Sequence, residues 1–196
     1  MKDGVTTTDE DRALVAKTAD QIKEEVSNFS FDISALKRRV RDDDIGQAFI
    51  QAHLYLDHVI SRMIAENVPF PRHFQLERAS FSQKLQFVGA LGLMRPAQLA
   101  PIRVVNGIRN KIAHKLEYEV QPSDEAKLRS TLGKGVDHHE DGSKMSLAEL
   151  LQFLAVVVDV ERQQRAFESK MRAQAMANVR VVLDDIHSEK RRERGA

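Results

Sequence analysis

The chain has 196 residues, a length at which one domain can bury an apolar core without disulfides or metals to stabilise it. Lys and Arg number 30 against 29 Asp and Glu, so the overall charge attracts no nucleic acid and such binding would need a local basic patch. There is no cysteine, which excludes disulfides, thiolate catalysis and cysteine-ligated zinc or iron–sulfur sites.

The chain shows no targeting or membrane signal. Met1 to Gly4 carries no apolar signal core, and no apolar run approaches the ~20 residues of a membrane-spanning helix. We therefore expect a cytoplasmic protein with no membrane partner. Residues 1–8 are predicted to be flexible, residues 9–187 to form a single all-helical domain, and residues 188–196 to form a charged, flexible tail.

Apolar residues at helical spacing predict helices along the first half of the chain. One amphipathic helix is predicted on residues that recur at intervals of four: Leu14, Thr18, Ile22 and Val26. A short helix follows on Ile33, Leu36 and Val40. The clearest pattern predicts a central core helix from Ile45 to about Asn67, which Pro69 and Pro71 end because proline has no amide donor.

Turn and cap residues delimit the helices that follow. The next helix carries Phe81, Leu85 and Val88, with Gly92 as its left-handed C-terminal residue. A long helix is predicted from about Pro96 to Tyr118, and Ser123 is predicted to cap a short helix after Pro122. The glycine-containing residues 133–142 are predicted to form an exposed loop.

The C-terminal helix is the longest predicted element. Ser146 and Glu149 form a capping box that starts it, and its helical signal continues to about His187. Beyond Val160 the apolar residues approach a heptad seam, which needs a partner from the same chain or from a second subunit: Phe167, Met171, Ala175, Val179, Val182 and Ile186. Strand-like alternation is absent, so the predicted fold is an all-α helical bundle with a long C-terminal helix.

The segment from Ile108 to His114 carries the polar residues that stand out against this scaffold. Arg109 lies seven residues from both Ile102 and Leu116, so its charge falls on or beside the apolar stripe of the helix. A polar row borders that stripe at intervals of four residues: Asn106, Asn110 and His114.

These residue types suit phosphate chemistry, because arginine offers a permanently charged fork and histidine exchanges a proton near neutral pH. In a metal-free RNA cleavage, His114 would accept the 2′-hydroxyl proton or protonate the leaving oxygen. Arg109 would stabilise the charge on the phosphoryl group, and Asn110 would orient the imidazole or the phosphate. Lys111 and Lys115 either contact phosphates or solvate the helix, and Asn106 completes the candidate RNA-binding residues.

The same residues also have a structural interpretation. A buried Arg109 could pair with a carboxylate such as Asp57, while Asn110 and His114 tie helix ends together. His53 and Asp57, four residues apart, either form a structural pair or line the same cleft as His114. The adjacent histidines in His138-His139-Glu140-Asp141 lack the spacing of a preformed metal site, so we interpret them as a surface loop and predict no metal or other cofactor.

Two stretches resemble the mannitol-operon-repressor group, which is related to the all-helical HEPN superfamily: Phe81-x-x-Lys84-Leu85 through Leu91-Gly92-Leu93, and Ile108-Arg109-Asn110-x-x-Ala113-His114. The resemblance covers roughly Asp44 to Leu128. HEPN ribonucleases carry Arg, a polar residue, three variable positions and His, which Arg109, Asn110 and His114 match. The resemblance implies a HEPN-like bundle that forms a homodimer, with two motifs facing one cleft, and metal-independent RNA cleavage.

The resemblance also implies a second class of function. Some HEPN toxins carry Tyr two residues after the His, where a partner modifies them, but Leu116 occupies that position here. Members of the repressor group also act through protein partners without an enzymatic role. The sequence shows no helix-turn-helix or zinc-finger signature, which disfavours direct DNA reading. We therefore expect one of two functions. The first is an RNA-binding protein that acts as a metal-independent endoribonuclease, with RNA and a protein such as an antitoxin as partners. The second is a non-enzymatic transcriptional co-regulator or protein-interaction module of the mannitol-repressor type.

Overall fold

The computed structural model describes residues 7–68, 75–133 and 136–195, with side chains as far as Lys190. Within these ranges the chain forms helices and no strand, so the predicted all-α helical bundle with a long C-terminal helix is confirmed. The helices are α1 Asp9–Val15, α2 Ala19–Val26, α3 Ile33–Arg39, α4 Ile45–Asn67, α5 Phe81–Ala90, α6 Pro96–His114, α7 Pro122–Ser130 and α8 Leu147–Gly195.

The chain divides into two compact units. The core unit comprises Phe29–Arg165, and the terminal unit comprises Met1–Asn28 together with Ala166–Ala196. The single domain predicted for residues 9–187 stays a prediction beside this division. Residues 1–6, part of the segment predicted to be flexible, lie outside the described residues.

Helix α4 is the centre of the core unit, where it packs against α3, α5 and α6. Its bounds confirm the prediction. The Asp44 carboxylate caps its start by accepting from the Gln47 amide at 2.8 Å, and Val68 ends it, while Pro69 and Pro71 lie outside the described residues. Fully buried side chains of α4, α6 and α8 form one apolar core, among them Phe49, Leu56, Ile60, Met63, Ile102, Val105, Leu151 and Ala155.

A glycine turn brings α6 back beside α5. Gly92 has a φ of 67°, so the predicted left-handed residue after α5 is confirmed. The Gly92 amide donates to the Gly89 carbonyl at 3.1 Å and the Leu93 amide to the Val88 carbonyl at 3.0 Å, which satisfies the last carbonyls of the helix. A side chain at position 92 would strain this turn. The turn reverses the chain, so that α5 and α6 pack together.

The helix predicted across Leu14 to Val26 is wrong, because the chain forms two short helices there. Thr18 is extended and its hydroxyl accepts from the Gln21 amide at 3.2 Å, while the Gln21 side chain accepts from the Thr18 amide at 2.8 Å. This reciprocal cap begins a new helix at Ala19. The apolar residues keep a spacing of four across the break, which is why the spacing predicted a single helix.

Three further boundaries differ from the predictions. Helix α6 ends at His114 rather than near Tyr118, because Lys115 leaves the helical conformation with φ −123° and ψ 110°. Gln121, not Ser123, occupies the N-cap of α7, which places Pro122 at the first helical position. Helix α8 starts at the predicted Ser146–Glu149 capping box and continues to Gly195, past the end predicted near His187 and into the segment predicted to be flexible.

Candidate functional site

The candidate motif occupies the last turn and a half of α6. Ile102, Val105 and Ile108 bury one face of this helix against the core unit, which fixes the directions in which the intervening side chains point. His114 is the last helical residue and is exposed, whereas Arg109 and Asn110 are half-buried. The motif therefore lies where the helix leaves the core and reaches solvent.

Arg109 is held by its neighbour rather than by an acidic residue. Its Nη1 donates to Asn110 Oδ1 at 3.3 Å, and no carboxylate among the described residues pairs with it. Asp57, the partner that the structural interpretation offered, instead accepts two hydrogen bonds from Lys84 Nζ at 2.8 and 3.0 Å. The positive charge of Arg109 consequently remains uncompensated within the described part of the chain.

A layer of polar side chains connects α4, α5 and α6 beside Arg109. His53 is 7% exposed and its Nε2 lies 3.1 Å from Asn106 Oδ1, while Asn106 Nδ2 donates to Ser82 Oγ at 3.2 Å. The His53 ring packs against Phe81 with centroids 4.5 Å apart. Burial lowers the pKa of His53, with a further lowering from the Arg109 charge, so the ring is neutral near pH 7.

Asn106 is therefore a structural contact as well as a candidate RNA-binding residue. His53 holds its side-chain oxygen and Ser82 its nitrogen, which leaves it little freedom to meet a ligand. The interpretation of His53 and Asp57 as a mutual pair is replaced by two separate contacts, one to Asn106 and one to Lys84. His53 Nδ1 is buried without a hydrogen-bond partner among the described residues.

His114 makes no hydrogen bond with Arg109 or Asn110. Five helical positions separate His114 from Arg109, which corresponds to about 7.5 Å along the axis and about 140° around it. Asn110 Oδ1 is occupied by Arg109, so it does not orient the imidazole in this chain. The structure thus brings Arg109 and Asn110 together and leaves His114 pointing to solvent on its own.

Lys111 and Lys115 have different surroundings despite their similar predicted roles. Lys111 Nζ donates to Asp124 Oδ1 at 2.8 Å and lies 3.4 Å from the Tyr118 hydroxyl, and these hydrogen bonds raise its pKa. Lys115 is exposed at the C-cap of α6, with Nζ 6.0 Å from the Tyr118 ring centroid. Lys115 is the more available of the two for a phosphate.

Asp124 is the centre of a contact that sequence reasoning missed. Its carboxylate is 4% exposed and accepts from Lys111, from the Tyr118 hydroxyl and from the Gln121 amide. Burial alone would raise the pKa of Asp124, but these hydrogen bonds hold it below its usual value. The network ties the end of α6 to the start of α7. Tyr118, which does not match the modified tyrosine of HEPN toxins, has a structural role here.

Lys84 is the second residue that was missed. It lies on the otherwise apolar face of α5 and its side chain is 8% exposed. A lysine three residues after Phe81 and one before Leu85 was the available signal, because a charge within an apolar stripe needs a buried partner. Its partner Asp57 is distant in sequence, so spacing could not identify it.

The histidine-containing loop is exposed as predicted. His138 Nδ1 lies 2.9 Å from Asp137 Oδ1, and His139 Nε2 lies 3.3 Å from Glu149 Oε2 at the start of α8. Residues 134 and 135 of this loop lie outside the described part of the chain. Across residues 7–68, 75–133 and 136–190, no group of three or more His, Asp or Glu side chains is arranged to hold a metal ion.

Comparison with protein-family models, with curated proteins and with solved structures gave no match to this chain. No helix in the described ranges is long and apolar enough to cross a membrane. The geometry of α6 and the resemblance of its residues to the HEPN motif are therefore what bears on function.

Proposed function

We propose that the protein binds RNA at the exposed end of α6 and cleaves it without a metal ion, as a cytoplasmic homodimer. The observation that carries this proposal is the environment of Arg109, whose charge no described carboxylate neutralises, one and a half turns before the exposed His114. An uncompensated arginine attracts a phosphodiester, and a solvent-facing histidine can reach the ribose beside it.

The chemistry follows from these two side chains. His114 accepts the proton of the ribose 2′-hydroxyl as its oxygen attacks the adjacent phosphorus, and the bond from phosphorus to the 5′-oxygen breaks. A protonated histidine gives its proton to that leaving oxygen, so the products are a 2′,3′-cyclic phosphate and a 5′-hydroxyl. Arg109 stabilises the negative charge that develops on the phosphoryl oxygens.

A homodimer would supply what one chain lacks. One His114 cannot at the same moment accept the first proton and donate the second, and here it stands apart from Arg109. Two motifs facing one cleft, as the HEPN resemblance implies, would supply two histidines and two arginines. Asn110 would then hold Arg109 in position, and Lys115 would contact a neighbouring phosphate. Lys111 and Asn106 would contribute mainly by keeping α6 in place.

A second function is favoured by the structural networks around the motif. Asn106 is engaged by His53 and Ser82, and Lys111 by Asp124, so two candidate RNA-binding residues already stabilise the fold. A motif used in this way suits a non-enzymatic co-regulator of the mannitol-repressor type, which acts through a protein partner and does not read DNA directly.

The two functions are separated by incubating the protein with mixed RNA in EDTA. We expect cleavage by the wild type and a loss of about 10²- to 10⁴-fold in rate for Arg109→Ala and for His114→Ala. His139→Ala removes an exposed histidine far along the chain from the motif and should cleave normally. RNA left intact by the wild type, or equal cleavage by both motif variants, would refute the catalytic proposal.

Thermal melting of the same variants completes the test. His114 makes no hydrogen bond to its motif neighbours, so His114→Ala should melt within a few degrees of the wild type. A large fall in melting temperature would instead indicate a structural role for this residue. RNA that is bound by the wild type but not cut would support RNA binding and contradict cleavage, whereas a wild type that neither binds nor cuts RNA would favour the co-regulator function.

A further inference from the structure

An apolar stripe is exposed along the part of α8 that belongs to the terminal unit. Its five large side chains are 38–58% exposed and recur at helical spacing: Met176, Val179, Val182, Leu183 and Ile186. Three of them are members of the predicted heptad seam, Val179, Val182 and Ile186. We call these five residues the α8 stripe.

The opposite face of the same helix segment is already covered by the N-terminal helices. Gln174 Nε2 donates to the Leu14 and Lys17 carbonyls at 3.0 and 2.6 Å, and Arg180 Nε donates to Asp11 Oδ1 at 3.1 Å. Ala177 lies between them and is fully buried. At 100° per residue these positions lie roughly opposite Val179 on the helix. In the described part of the chain, α1 and α2 therefore leave the α8 stripe uncovered.

The composition of the stripe separates it from an ordinary helix surface. Between Met176 and Leu183, the side chains facing the stripe direction are apolar, and the one charged residue of this segment, Arg180, turns away from the stripe to Asp11. A contiguous apolar row of this kind marks an interaction site, since isolated exposed apolar residues are normal but a continuous stripe is not. Its 3- and 4-residue steps are those of helices that pack side by side.

The charges at the two ends indicate what the partner is. Arg172 is exposed at the N-terminal end of the stripe, and Asp185 and Glu189 are exposed near its C-terminal end. Lys190 is also exposed there, so among the described side chains the stripe carries a cation at one end and, at the other, two exposed carboxylates against one exposed lysine. A second copy of the same helix, turned end for end, presents complementary charges at both ends.

We propose that the α8 stripe binds the α8 stripe of a second copy of this chain, with the two helices antiparallel and Val179 near the two-fold axis. This register places Arg172 of each copy opposite position 186 of the other, within one turn of both Asp185 and Glu189. Each contact then occurs twice, as a two-fold interface requires. A parallel pair in register would instead place Arg172 against Arg172 and Glu189 against Glu189, which is unfavourable.

This inference rests on the homodimer of the proposed function and names its interface, and it uses no residue of the α6 motif. Loss of RNA cleavage would leave the α8 interface intact, and loss of the interface would be detected by mass whether or not RNA is cut. The interface gives the proposed homodimer a defined surface. A monomeric wild type would contradict both the interface and the homodimer, whereas a dimer that both stripe variants keep would contradict the interface alone.

The first test measures mass in solution by size-exclusion chromatography with light scattering. We expect the wild type at twice the 22.2 kDa mass of the chain, and Val179→Glu at the mass of one chain. Leu54→Glu is the matched control, because Leu54 is an apolar helix residue that is 55% exposed on α4, and it should remain dimeric. Should Val179→Glu lose its helical circular dichroism, Val182→Lys, at a 55% exposed position, replaces it.

A monomeric wild type, or a dimer that both stripe variants keep, would overturn the proposal. Dissociation of the control Leu54→Glu to the same extent as Val179→Glu would also overturn it, because the interface would then not be specific to the stripe. A stripe that serves a lipid surface or a different protein predicts the first of these outcomes.

The second test determines whether the two α8 helices are antiparallel. The chain has no native cysteine, so an introduced cysteine can form a disulfide only with its copy in the second chain. In the antiparallel register the two copies of position 179 lie close together, while those of position 172 are about 21 Å apart at 1.5 Å per residue. A disulfide needs α-carbons within about 7 Å. Under the oxidant diamide, Val179→Cys should therefore form a covalent dimer and Arg172→Cys should not. Efficient cross-linking of Arg172→Cys would contradict the antiparallel arrangement.

Discussion

The core unit and the terminal unit are stabilised by different interactions. The core unit buries large apolar side chains from α4, α5, α6 and α8, many of them fully. Among the described residues of the terminal unit, the buried apolar side chains are Ile22, Val26, Ala166 and Ala177. Ion pairs also hold the terminal unit together, including those of Asp11 with Arg180 and of Glu25 with both Lys17 and Lys170.

This difference explains how one helix can have two kinds of surface. In the core unit most large apolar residues of α8 face inward, as Leu150, Leu151, Leu154 and Val158 show, and Val157 and Val160 are the exposed exceptions among the described residues. In the terminal unit its inward face carries Gln174, Ala177 and Arg180, and the larger apolar residues face outward. The first arrangement makes a core, and the second leaves an apolar surface for a partner.

The largest expected effect comes from the apolar core itself. Phe49 is fully buried on α4, so Phe49→Ala should lower the free energy of unfolding by about 3–5 kcal/mol. Leu54→Ala, on the same helix but 55% exposed, should change it by less than about 0.5 kcal/mol. Urea unfolding followed by circular dichroism measures both. A small effect for Phe49→Ala would mean that apolar burial is not what stabilises the core unit.

A buried charge network in the core unit should give the next largest effect. Asp159 is fully buried and accepts from Arg162 Nε at 2.8 Å, from the Ser30 amide at 3.2 Å and from Gln163 Nε2 at 3.1 Å. Arg162, 3% exposed, also pairs with Glu66. Asp159→Ala removes the buried carboxylate that pairs with the Arg162 guanidinium, and we expect a loss of about 3 kcal/mol in unfolding free energy.

The control for this change is Asp43→Ala, because Asp43 pairs with Arg41 at the surface with both side chains more than 60% exposed. Exposed pairs contribute about 0–1 kcal/mol. Equal effects of the two substitutions in urea unfolding would show that the buried network contributes nothing beyond a surface pair, and the contrast between the units would then weaken.

The parts of the fold that the sequence predicted well depend on local signals. Ile45 to Asn67 was bounded correctly because a long apolar period is followed by a pair of prolines in the sequence. Ser146 and Glu149 identified the start of α8 because they form a capping box. The break before Thr18 was missed, since the apolar residues on either side kept a spacing of four.

The candidate site also has features that local sequence signals predict and features that they do not. Spacing placed Arg109, Asn110 and His114 on one helix, which the structure confirms, but spacing could not predict that Asn110 holds Arg109 and leaves His114 alone. Lys84 pairs with Asp57 across α5 and α4, and Arg162 pairs with Glu66 across α8 and α4. Arg162 also pairs with Asp159 within the largely apolar stretch of α8. Partners of this kind follow from packing, so the sequence shows only that a charge needs one.

The smallest expected effect concerns pH, and it separates the two units most directly. In the terminal unit, hydrogen bonds from Arg180 and Thr8 lower the pKa of Asp11 from 3.8 to about 2, and those from Lys17 and Lys170 lower the pKa of Glu25 from 4.5 to about 2. A carboxylate whose pKa is lower in the folded state stabilises the fold above its unfolded pKa. That stability is lost as pH falls from about 4.5 towards about 2.

His53 in the core unit should respond at higher pH. Burial lowers its pKa below 6.5, so its contribution to the stability of the fold is complete above pH 6.5. That contribution declines as the pH falls below 6.5, because the unfolded chain then binds the proton more readily.

Because Asp11 and Glu25 titrate at lower pH, hydrogen exchange should show amides of α1 and α2 losing protection only below about pH 4.5. In Asp11→Asn this loss should be smaller, since the substituted side chain no longer titrates, while protection at pH 6 should already be lower than in the wild type. If α1 and α2 keep the same protection down to about pH 2 in both proteins, the charged contacts are not what holds the terminal unit together.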